Sequence, residues 1–253
     1  PVPQLRGAVR LSGDALVVLL EDVAHWPRAR DFAERLTSLA AAIGGGAPRG
    51  LEAVRWIDLD GRHHDVLDLS TARPVSSFEQ VNPAMAGRLH DDVVALVRTH
   101  QPSTVVDAYA GDGQTAALLS AHGVRVTAIE LDAEAAQHAA RRLAPPSSVV
   151  EGRVEETLSS VLPADVVILN PPRAGVDARV CETLEKAVAA ARDGGAPAPR
   201  GVVYVSCNPA TLARDLSRLP SYHVAGVQGY DMFPQTAHVE TMCHLVPHGG
   251  RIT

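Results

Sequence analysis

Short β-branched runs alternate with helical stretches from about residue 83 onward, and this alternation limits the folds that the chain can adopt. A helix predicted to begin at Pro83 carries an apolar stripe at helical spacing, which includes Leu89, Val93 and Val97. The runs that follow are almost continuously apolar, as expected of strands that are buried on both faces of a parallel sheet. The pattern therefore predicts an α/β fold with helices on both faces of the sheet.

Seven strands and five further helices are predicted in this region. The predicted strands are residues 104–108, 125–129, 148–151, 165–169 and 201–206, with two late strands near 223–229 and 240–247. The predicted helices are residues 114–121, 133–143, 154–161, 178–192 and 209–219.

The first 75 residues have a different pattern. They contain a strand-like run at 15–20, a helical pattern at about 28–43 and a hairpin-like stretch at 51–69 that turns at Asp60 and Gly61. We therefore predict a small α+β segment at 1–75, followed by a larger α/β domain at 76–253.

Composition narrows the class of protein. The chain has 253 residues, of which 46% are hydrophobic and 21% are charged, and this balance excludes a disordered protein. No apolar run approaches the ~20 residues of a membrane span, and no signal pattern begins the sequence, so a cytoplasmic location is expected. The three widely spaced cysteines fit neither a disulfide framework nor a zinc site, so we expect no bound metal.

A glycine turn follows the first strand of the sheet. Gly111 and Gly113 allow a ligand to approach the backbone closely, at the edge where open α/β sheets bind ligands. Two glycines instead of the three of the dinucleotide fingerprint favour a nucleoside without phosphates over NAD. Glu130 ends the second strand, where a carboxylate can accept hydrogen bonds from both ribose hydroxyls.

Reactive side chains follow later strands at the same edge. Asn170-Pro-Pro-Arg173 comes directly after the fourth strand, and Cys207 stands between the fifth strand and a helix. Amide groups at a helix N-terminus favour thiolate, so we expect a lowered pKa for Cys207. Cys181 and Cys243 are expected to be small buried side chains. A further carboxylate, Glu240, lies where the last strand begins.

Taken in order, these segments resemble the motifs of the RNA uracil-C5 methyltransferases, which form 5-methyluridine in tRNA or 23S rRNA. The segments are Phe78-Glu-Gln-Val-Asn82, the turn from Asp107 to Gly113, Asn170-Pro-Pro-Arg173, Ser206-Cys-Asn-Pro209, and Asp231 to Glu240. The resemblance covers about residues 76–250. It implies a Rossmann-like class I methyltransferase sheet that binds S-adenosylmethionine, and it makes residues 1–75 part of a central or RNA-binding region.

The resemblance also implies roles for single residues. It makes Cys207 the nucleophile that adds to uracil C6 and Glu240 the general base, with the target uridine flipped out of its RNA. The implied S-adenosylmethionine contacts are Gln80, Tyr109, Gly111, Gly113, Gln114, Glu130 and Asn170. The implied substrate-binding residues are Arg173, Asn208 and His238. The family usually has Asn at the place of Gln114 and Asp at the place of Asn170; asparagine can still accept one hydrogen bond there.

Two alternatives remain open from the sequence. Asn-Pro-Pro also resembles the loop of methyltransferases that act on an amino or amide nitrogen, although those enzymes follow it with an aromatic residue, where this chain has Arg173, and need no cysteine. A non-catalytic RNA-binding relative is the second alternative, suggested by Asn170 and by the acidic charge.

The charge balance bears on how the chain would hold RNA. The net charge is -6; residues 1–75 hold 9 basic and 10 acidic side chains, and residues 76–253 hold 14 and 19. This excess of acidic residues counts against a strong grip on RNA by this chain alone. Since the sequence begins with Pro1, we expect that a basic RNA-binding region precedes it in a longer chain.

Overall fold

The structure is a computed structural model, and it describes residues 6–12, 15–21, 26–42, 51–57, 63–68, 82–232 and 239–249. The chain divides into two compact units, residues 1–81 and residues 82–253. The predicted boundary between residues 75 and 76 lies outside the described ranges.

The first unit contains a four-stranded sheet and a helix. Its elements are β1 (Arg6–Ser12), β2 (Ala15–Glu21), α1 (Ala29–Ala42), β3 (Leu51–Ile57) and β4 (His63–Asp68). The strands lie in the order β1-β2-β3-β4, and only β2 and β3 are parallel, since the chain between them includes α1. The predicted hairpin corresponds to β3 and β4, while its turn at Asp60 and Gly61 lies outside the described residues. Strand β1 was not expected from the sequence.

The second unit contains six helices and seven strands within the described residues. They are α2 (Pro83–Thr99), β5 (Thr104–Ala108), α3 (Gln114–Ala121), β6 (Arg125–Glu130), α4 (Ala133–Arg142), β7 (Ser148–Glu151), α5 (Val154–Val161), β8 (Val166–Leu169), α6 (Ala178–Arg192), β9 (Gly201–Ser206), α7 (Pro209–Leu216), β10 (Tyr222–Tyr230) and β11 (Glu240–Pro247). Asn82 caps α2, because its side-chain oxygen accepts the Met85 amide at 3.2 Å.

The seven strands form one mixed sheet in the order β10-β11-β9-β8-β5-β6-β7. The five strands from β9 to β7 are parallel, whereas β11 runs antiparallel to both β9 and β10. The expectation of a parallel sheet therefore fails for these late strands. Residues 231–239 are fewer than the dozen or so that a parallel crossover needs, so β10 and β11 pair as antiparallel neighbours.

Two buried apolar clusters lie on the faces of this sheet. One contains residues of α2 and α3, such as Leu89 and Leu119, and the other contains residues of α5, α6 and α7, such as Leu158, Leu184 and Leu212. Every residue of β8 and β9 is buried. The predicted α/β sheet with helices on both faces is confirmed.

The topology brings the carboxyl ends of several strands to one edge. Strands β5, β6, β8 and β9 are parallel and end there, and antiparallel β11 begins beside the end of β9. The loops after these strands therefore carry their side chains to a common edge, where ligands bind in open α/β sheets. Within the described ranges, no helix has the length and apolar character needed to cross a membrane.

Candidate active site

The turn after β5 has an unusual backbone. Tyr109, Gly111 and Gly113 have φ angles of 62°, 56° and 77°, all in the left-handed region. Glycine adopts this region without steric cost, whereas tyrosine does not, so Tyr109 is a strained residue at the edge of the sheet. Burial raises the pKa of the Tyr109 phenol, which keeps it uncharged.

The two glycines of the turn differ in what surrounds them. A Cβ added to Gly113 would lie 2.6 Å from Cβ and 2.9 Å from Cα of Ala139, so this glycine lets α3 pack closely on α4. A Cβ added to Gly111 would meet no atom within 4 Å. Gly113 therefore serves packing, and Gly111 faces open space where a ligand can approach.

Glu130, the last residue of β6, is bonded to the same turn. One carboxylate oxygen accepts the Gly111 amide at 2.7 Å, and the other accepts the Asp132 amide at 2.8 Å. A carboxylate oxygen can accept two hydrogen bonds, so each oxygen retains acceptor capacity. The side chain is thus fixed in place and can still accept a pair of ligand hydroxyls.

Asp107 is a buried carboxyl beneath this turn. Its residue is 2% exposed, and burial raises its pKa to about 7 even though the Ala116 amide bonds it; the negative charge of Glu130 raises it further. Its Oδ2 has no hydrogen-bond partner among the described residues. An unpartnered buried carboxyl oxygen is suited to a donor group of a ligand. The sequence matched Asp107 to the family without assigning it a site role, although its place before the glycine turn pointed to one.

The other predicted cofactor contacts lie around this edge. Gln114 is the first residue of α3 and is exposed. Asn170 follows β8 and is also exposed, and its backbone amide donates to the Ala108 carbonyl at 3.2 Å. Leu131, beside Glu130, is 57% exposed and gives this edge an apolar surface. Gln80 lies outside the described residues.

Cys207 lies between β9 and the N-terminus of α7, and its side chain is half-buried. Burial raises the pKa of the thiol, and the Glu240 carboxylate raises it further, whereas the positive charge of Arg173 lowers it. The expectation of a lowered pKa from the helix N-terminus is therefore wrong for this structure, because burial and a neighbouring carboxylate outweigh the stabilising groups.

Glu240 is the first residue of β11, which pairs with β9 so that Thr241 lies opposite Ser206. It is 3% exposed, and burial raises its pKa to about 7. Its Oε2 has no hydrogen-bond partner within the part of the chain that the structure describes. A carboxyl group with a pKa near neutrality can accept or release a proton at physiological pH.

Two predicted substrate-binding residues lie next to Cys207. The Asn208 side chain accepts the Ala210 amide at 3.1 Å and so caps α7, and its amide nitrogen donates to the Arg173 carbonyl at 3.4 Å. Asn208 thus joins the loop after β8 to the loop after β9. His238 lies outside the described residues.

The site therefore combines a thiol, a carboxyl group that titrates near neutrality and a glycine turn with two carboxylates. Among the described residues, no cluster of three or more His, Cys, Asp or Glu side chains could hold a metal ion. A thiol beside a proton acceptor suits covalent catalysis, and the glycine turn suits a nucleoside ligand.

Comparison with protein families gives a match in the second unit. Residues 153–247 match the family described as tRNA (Uracil-5-)-methyltransferase, and this segment contains Arg173, Cys207 and Glu240.

Curated relatives match about two thirds of the chain. An RNA methyltransferase of Protochlamydia amoebophila is 35% identical over 179 residues, which cover 67% of this chain and 39% of the relative. A 23S rRNA (uracil(747)-C(5))-methyltransferase of Shewanella amazonensis is 32% identical over 182 residues, which cover 67% of this chain and 44% of the relative. The matched part is thus less than half of each of these relatives.

Among solved structures, the chain resembles the Pyrococcus abyssi tRNA (uracil-54, C5)-methyltransferase in complex with S-adenosyl-L-homocysteine. The TM-score is 0.61 at 23% sequence identity, and the match covers 96% of this chain and 60% of that chain. At this identity, the likeness shows the class I methyltransferase fold. With the family match and the curated relatives, these findings show that the chain belongs to the RNA uracil-C5 methyltransferase family.

Proposed function

We propose that this chain catalyses the S-adenosylmethionine-dependent methylation of uracil C5 in RNA, with Cys207 as the nucleophile and Glu240 as the general base. The single observation that carries the proposal is the coupling of a half-buried thiol to a buried carboxyl group whose pKa is about 7. The named relatives act on 23S rRNA and on tRNA, which supports RNA as the class of substrate.

The residues of the glycine turn fit S-adenosylmethionine. Glu130 would accept the ribose hydroxyls, since both of its oxygens retain acceptor capacity. The unpartnered Oδ2 of Asp107 would face the positively charged amino group of the methionine moiety, and the exposed side chain of Leu131 would pack against the adenine. Gln80, Tyr109, Gln114 and Asn170 remain predicted contacts.

The reaction follows from the chemistry of uracil. C5 of uracil is too weak a nucleophile to be methylated directly, so the Cys207 thiolate first adds to C6 and leaves an enolate whose C5 is nucleophilic. When bound, S-adenosylmethionine would supply an electrophilic methyl group to C5, and cleavage of its bond between sulfur and the methyl carbon would release S-adenosylhomocysteine. Glu240 then accepts the C5 proton, the bond between C6 and sulfur breaks, and the thiolate is released with 5-methyluridine. A stacked base cannot reach a half-buried thiol, so the target uridine flips out of its RNA.

The test is a single-turnover assay with isotope-labelled S-adenosylmethionine and unmodified tRNA and 23S rRNA transcripts. We expect Cys207→Ala to reduce methyl transfer by at least about 10³-fold, because the proposed route activates C5 through the Cys207 adduct. Binding of S-adenosylhomocysteine, measured by calorimetry, is expected to stay within about twofold of wild type, since Cys207 is outside the glycine turn.

A matched control separates this result from a general effect of losing a cysteine. Cys243 is buried in β11, and Cys243→Ala should retain methyl transfer. Full transfer by Cys207→Ala would contradict the nucleophile assignment. Digestion of the product to nucleosides tests the alternative of nitrogen methylation, which would give an N-methyl nucleoside in place of 5-methyluridine.

A further inference from the structure

The loop after β8 is held by its backbone. The Arg173 carbonyl accepts the Asn208 side-chain amide at 3.4 Å. It also shares the Thr211 hydroxyl, which lies 3.2 Å from it and 3.0 Å from the Asn208 carbonyl. The Ala174 carbonyl accepts Nη2 of Arg214 at 2.7 Å, and the Val176 amide donates to Oδ2 of Asp215 at 3.0 Å. Main-chain atoms of Arg173, Ala174 and Val176 are therefore bonded to side chains of residues 208–215.

The four side chains that make these bonds come from one short part of the chain. Asn208 caps α7, and Thr211, Arg214 and Asp215 follow it at spacings of three, three and one residues. Residues three or four apart lie on the same face of a helix, so these side chains form one face that binds the loop backbone. We call this set of four side chains the α7 face.

Asp215 is the buried end of the α7 face. Its side chain is fully buried, and its Oδ2 also accepts the Tyr204 hydroxyl at 2.8 Å, while its Oδ1 accepts groups of Arg214 and Arg218. A Cβ at Gly175 would collide with Oδ2 of Asp215 and with Arg214, so the loop lies directly against this carboxylate. The carboxylate is fully bonded and is therefore a rigid anchor.

Asn208, the first residue of the α7 face, directly follows Cys207 in the sequence. Asn208 is held at this position by two hydrogen bonds. Its backbone amide donates to the Ser206 hydroxyl at 3.1 Å, and its side-chain amide donates to the Arg173 carbonyl. The same short segment thus fixes the thiol on one side and the Arg173 backbone on the other. The Arg173 guanidinium favours the charged form of Cys207 through its positive charge.

We propose that the α7 face positions the Arg173 loop against Cys207, which makes Thr211 a positioning residue for the nucleophile. The inference rests on the proposed function, because the position of Arg173 matters only if the Cys207 thiolate is used. Thr211 acts through the Arg173 carbonyl and touches neither the thiol nor the base.

The test measures the pH dependence of Cys207 alkylation by iodoacetamide in the full chain, followed by mass spectrometry of the peptide that contains Cys207. Arg173→Gln removes the positive charge that lowers the pKa of the Cys207 thiol, so we expect alkylation near neutral pH to fall by about three- to tenfold. Thr211→Val removes the hydroxyl that is shared between the Arg173 and Asn208 carbonyls, and it is expected to shift the profile in the same direction by a smaller amount. Thr211→Ser keeps the hydroxyl and is expected to retain the wild-type profile.

The double variant distinguishes positioning from a general structural role. If Thr211 acts by placing Arg173, Thr211→Val has no effect on alkylation in the Arg173→Gln background; independent effects would multiply instead. Thr183→Val is the matched control, because the Thr183 hydroxyl bonds the Arg179 carbonyl at 2.8 Å within α6, and its profile should equal wild type.

The outcomes separate this inference from the proposed function. A wild-type profile in Thr211→Val, or multiplicative effects in the double variant, would overturn the inference. Alkylation needs neither RNA nor S-adenosylmethionine, so the predicted profiles can be obtained even if no RNA is methylated. In that case the proposed function fails, whereas the positioning of Arg173 stands.

Discussion

Cys207 and Glu240 show how burial and a neighbouring charge set the protonation of two side chains. Burial and the Glu240 charge both raise the pKa of the thiol, and burial raises the pKa of Glu240 to about 7. Near neutrality, little of the thiol is ionised, while Glu240 exchanges its proton readily. Formation of the thiolate therefore depends on nearby positive charge, and Arg173 supplies it in this structure.

The raised pKa of Glu240 predicts a pH-dependent stability. A carboxyl group whose pKa is higher in the folded state stabilises the fold below its unfolded pKa, and this contribution is lost as the pH rises from about 4.5 to about 7. Glutamine does not titrate, so Glu240→Gln lacks this decrease in the free energy of unfolding. Relative to wild type, the variant should gain stability across this interval, by at most on the order of 3 kcal/mol. Urea unfolding at a series of pH values measures the difference.

A surface carboxylate provides the control for this series. Glu182 is exposed on α6, and Glu182→Gln should give a difference that varies little with pH. Parallel stability curves for wild type and Glu240→Gln would contradict the assignment of a raised pKa to Glu240.

Among the structural elements, the turn between β5 and α3 contains one glycine that is needed for packing and one that is open to a ligand. Gly113 lies against α4, whereas Gly111 faces open space and bonds Glu130 through its amide. Two neighbouring glycines with similar φ angles thus meet different requirements, and substitutions can tell them apart.

We predict that alanine at Gly113 mainly lowers stability, whereas alanine at Gly111 mainly weakens cofactor binding. Gly113→Ala should lower the free energy of unfolding by about 2 to 4 kcal/mol, because left-handed strain adds to a clash with Ala139. Gly111→Ala should cost about 1 to 2 kcal/mol from strain alone but weaken S-adenosylhomocysteine binding by more than about tenfold. Denaturant unfolding and calorimetry give the two quantities.

Gly123 allows a matched comparison. It has a φ of 82° and no atom near an added Cβ, and it lies at the opposite end of α3. Gly123→Ala should therefore resemble Gly111→Ala in stability while binding S-adenosylhomocysteine like wild type. Unchanged binding in Gly111→Ala would show that the open side of the turn does not hold the cofactor.

The elements of the second unit were largely predictable because local signals mark their ends. Pro209 begins α7 as expected, and the apolar run of β9 has the predicted bounds. The long-range features were not predictable in this way. The antiparallel direction of β11 depends on its pairing with β9. The raised pKa of Cys207 depends on burial and on Glu240, which is 33 positions later in the sequence. The α7 face could not be predicted either, because its definition depends on the contact between the loop after β8 and α7.

For the molecule as a whole, the two apolar clusters on the sheet are built from residues of the second unit, from Ala86 to Leu245. A unit with its own core is able to fold independently. We therefore predict that a fragment of residues 76–253 unfolds cooperatively and binds S-adenosylhomocysteine with an affinity within about threefold of the full chain. Circular dichroism and calorimetry test this, and a fragment without a cooperative transition would contradict the predicted boundary.

The chain spans about two fifths of the length of the curated relatives that it matches, and its net charge is -6. Affinity for RNA depends on positive groups that contact phosphates. Weak binding by this chain can be offset by a high RNA concentration, so the chemistry can be tested without tight binding. Single-turnover and trapping experiments at high RNA concentration examine the catalytic groups directly.

The most direct test of the central claim is to trap the covalent intermediate. In the Glu240→Gln variant, Cys207 should add to uracil C6 and C5 should take the methyl group. The C5 proton should not be removed, so the adduct accumulates. The variant is incubated with RNA and S-adenosylmethionine, digested, and analysed by mass spectrometry. The account predicts a methylated uridine linked to the Cys207 peptide; 5-methyluridine formed at the wild-type rate with no adduct would contradict it.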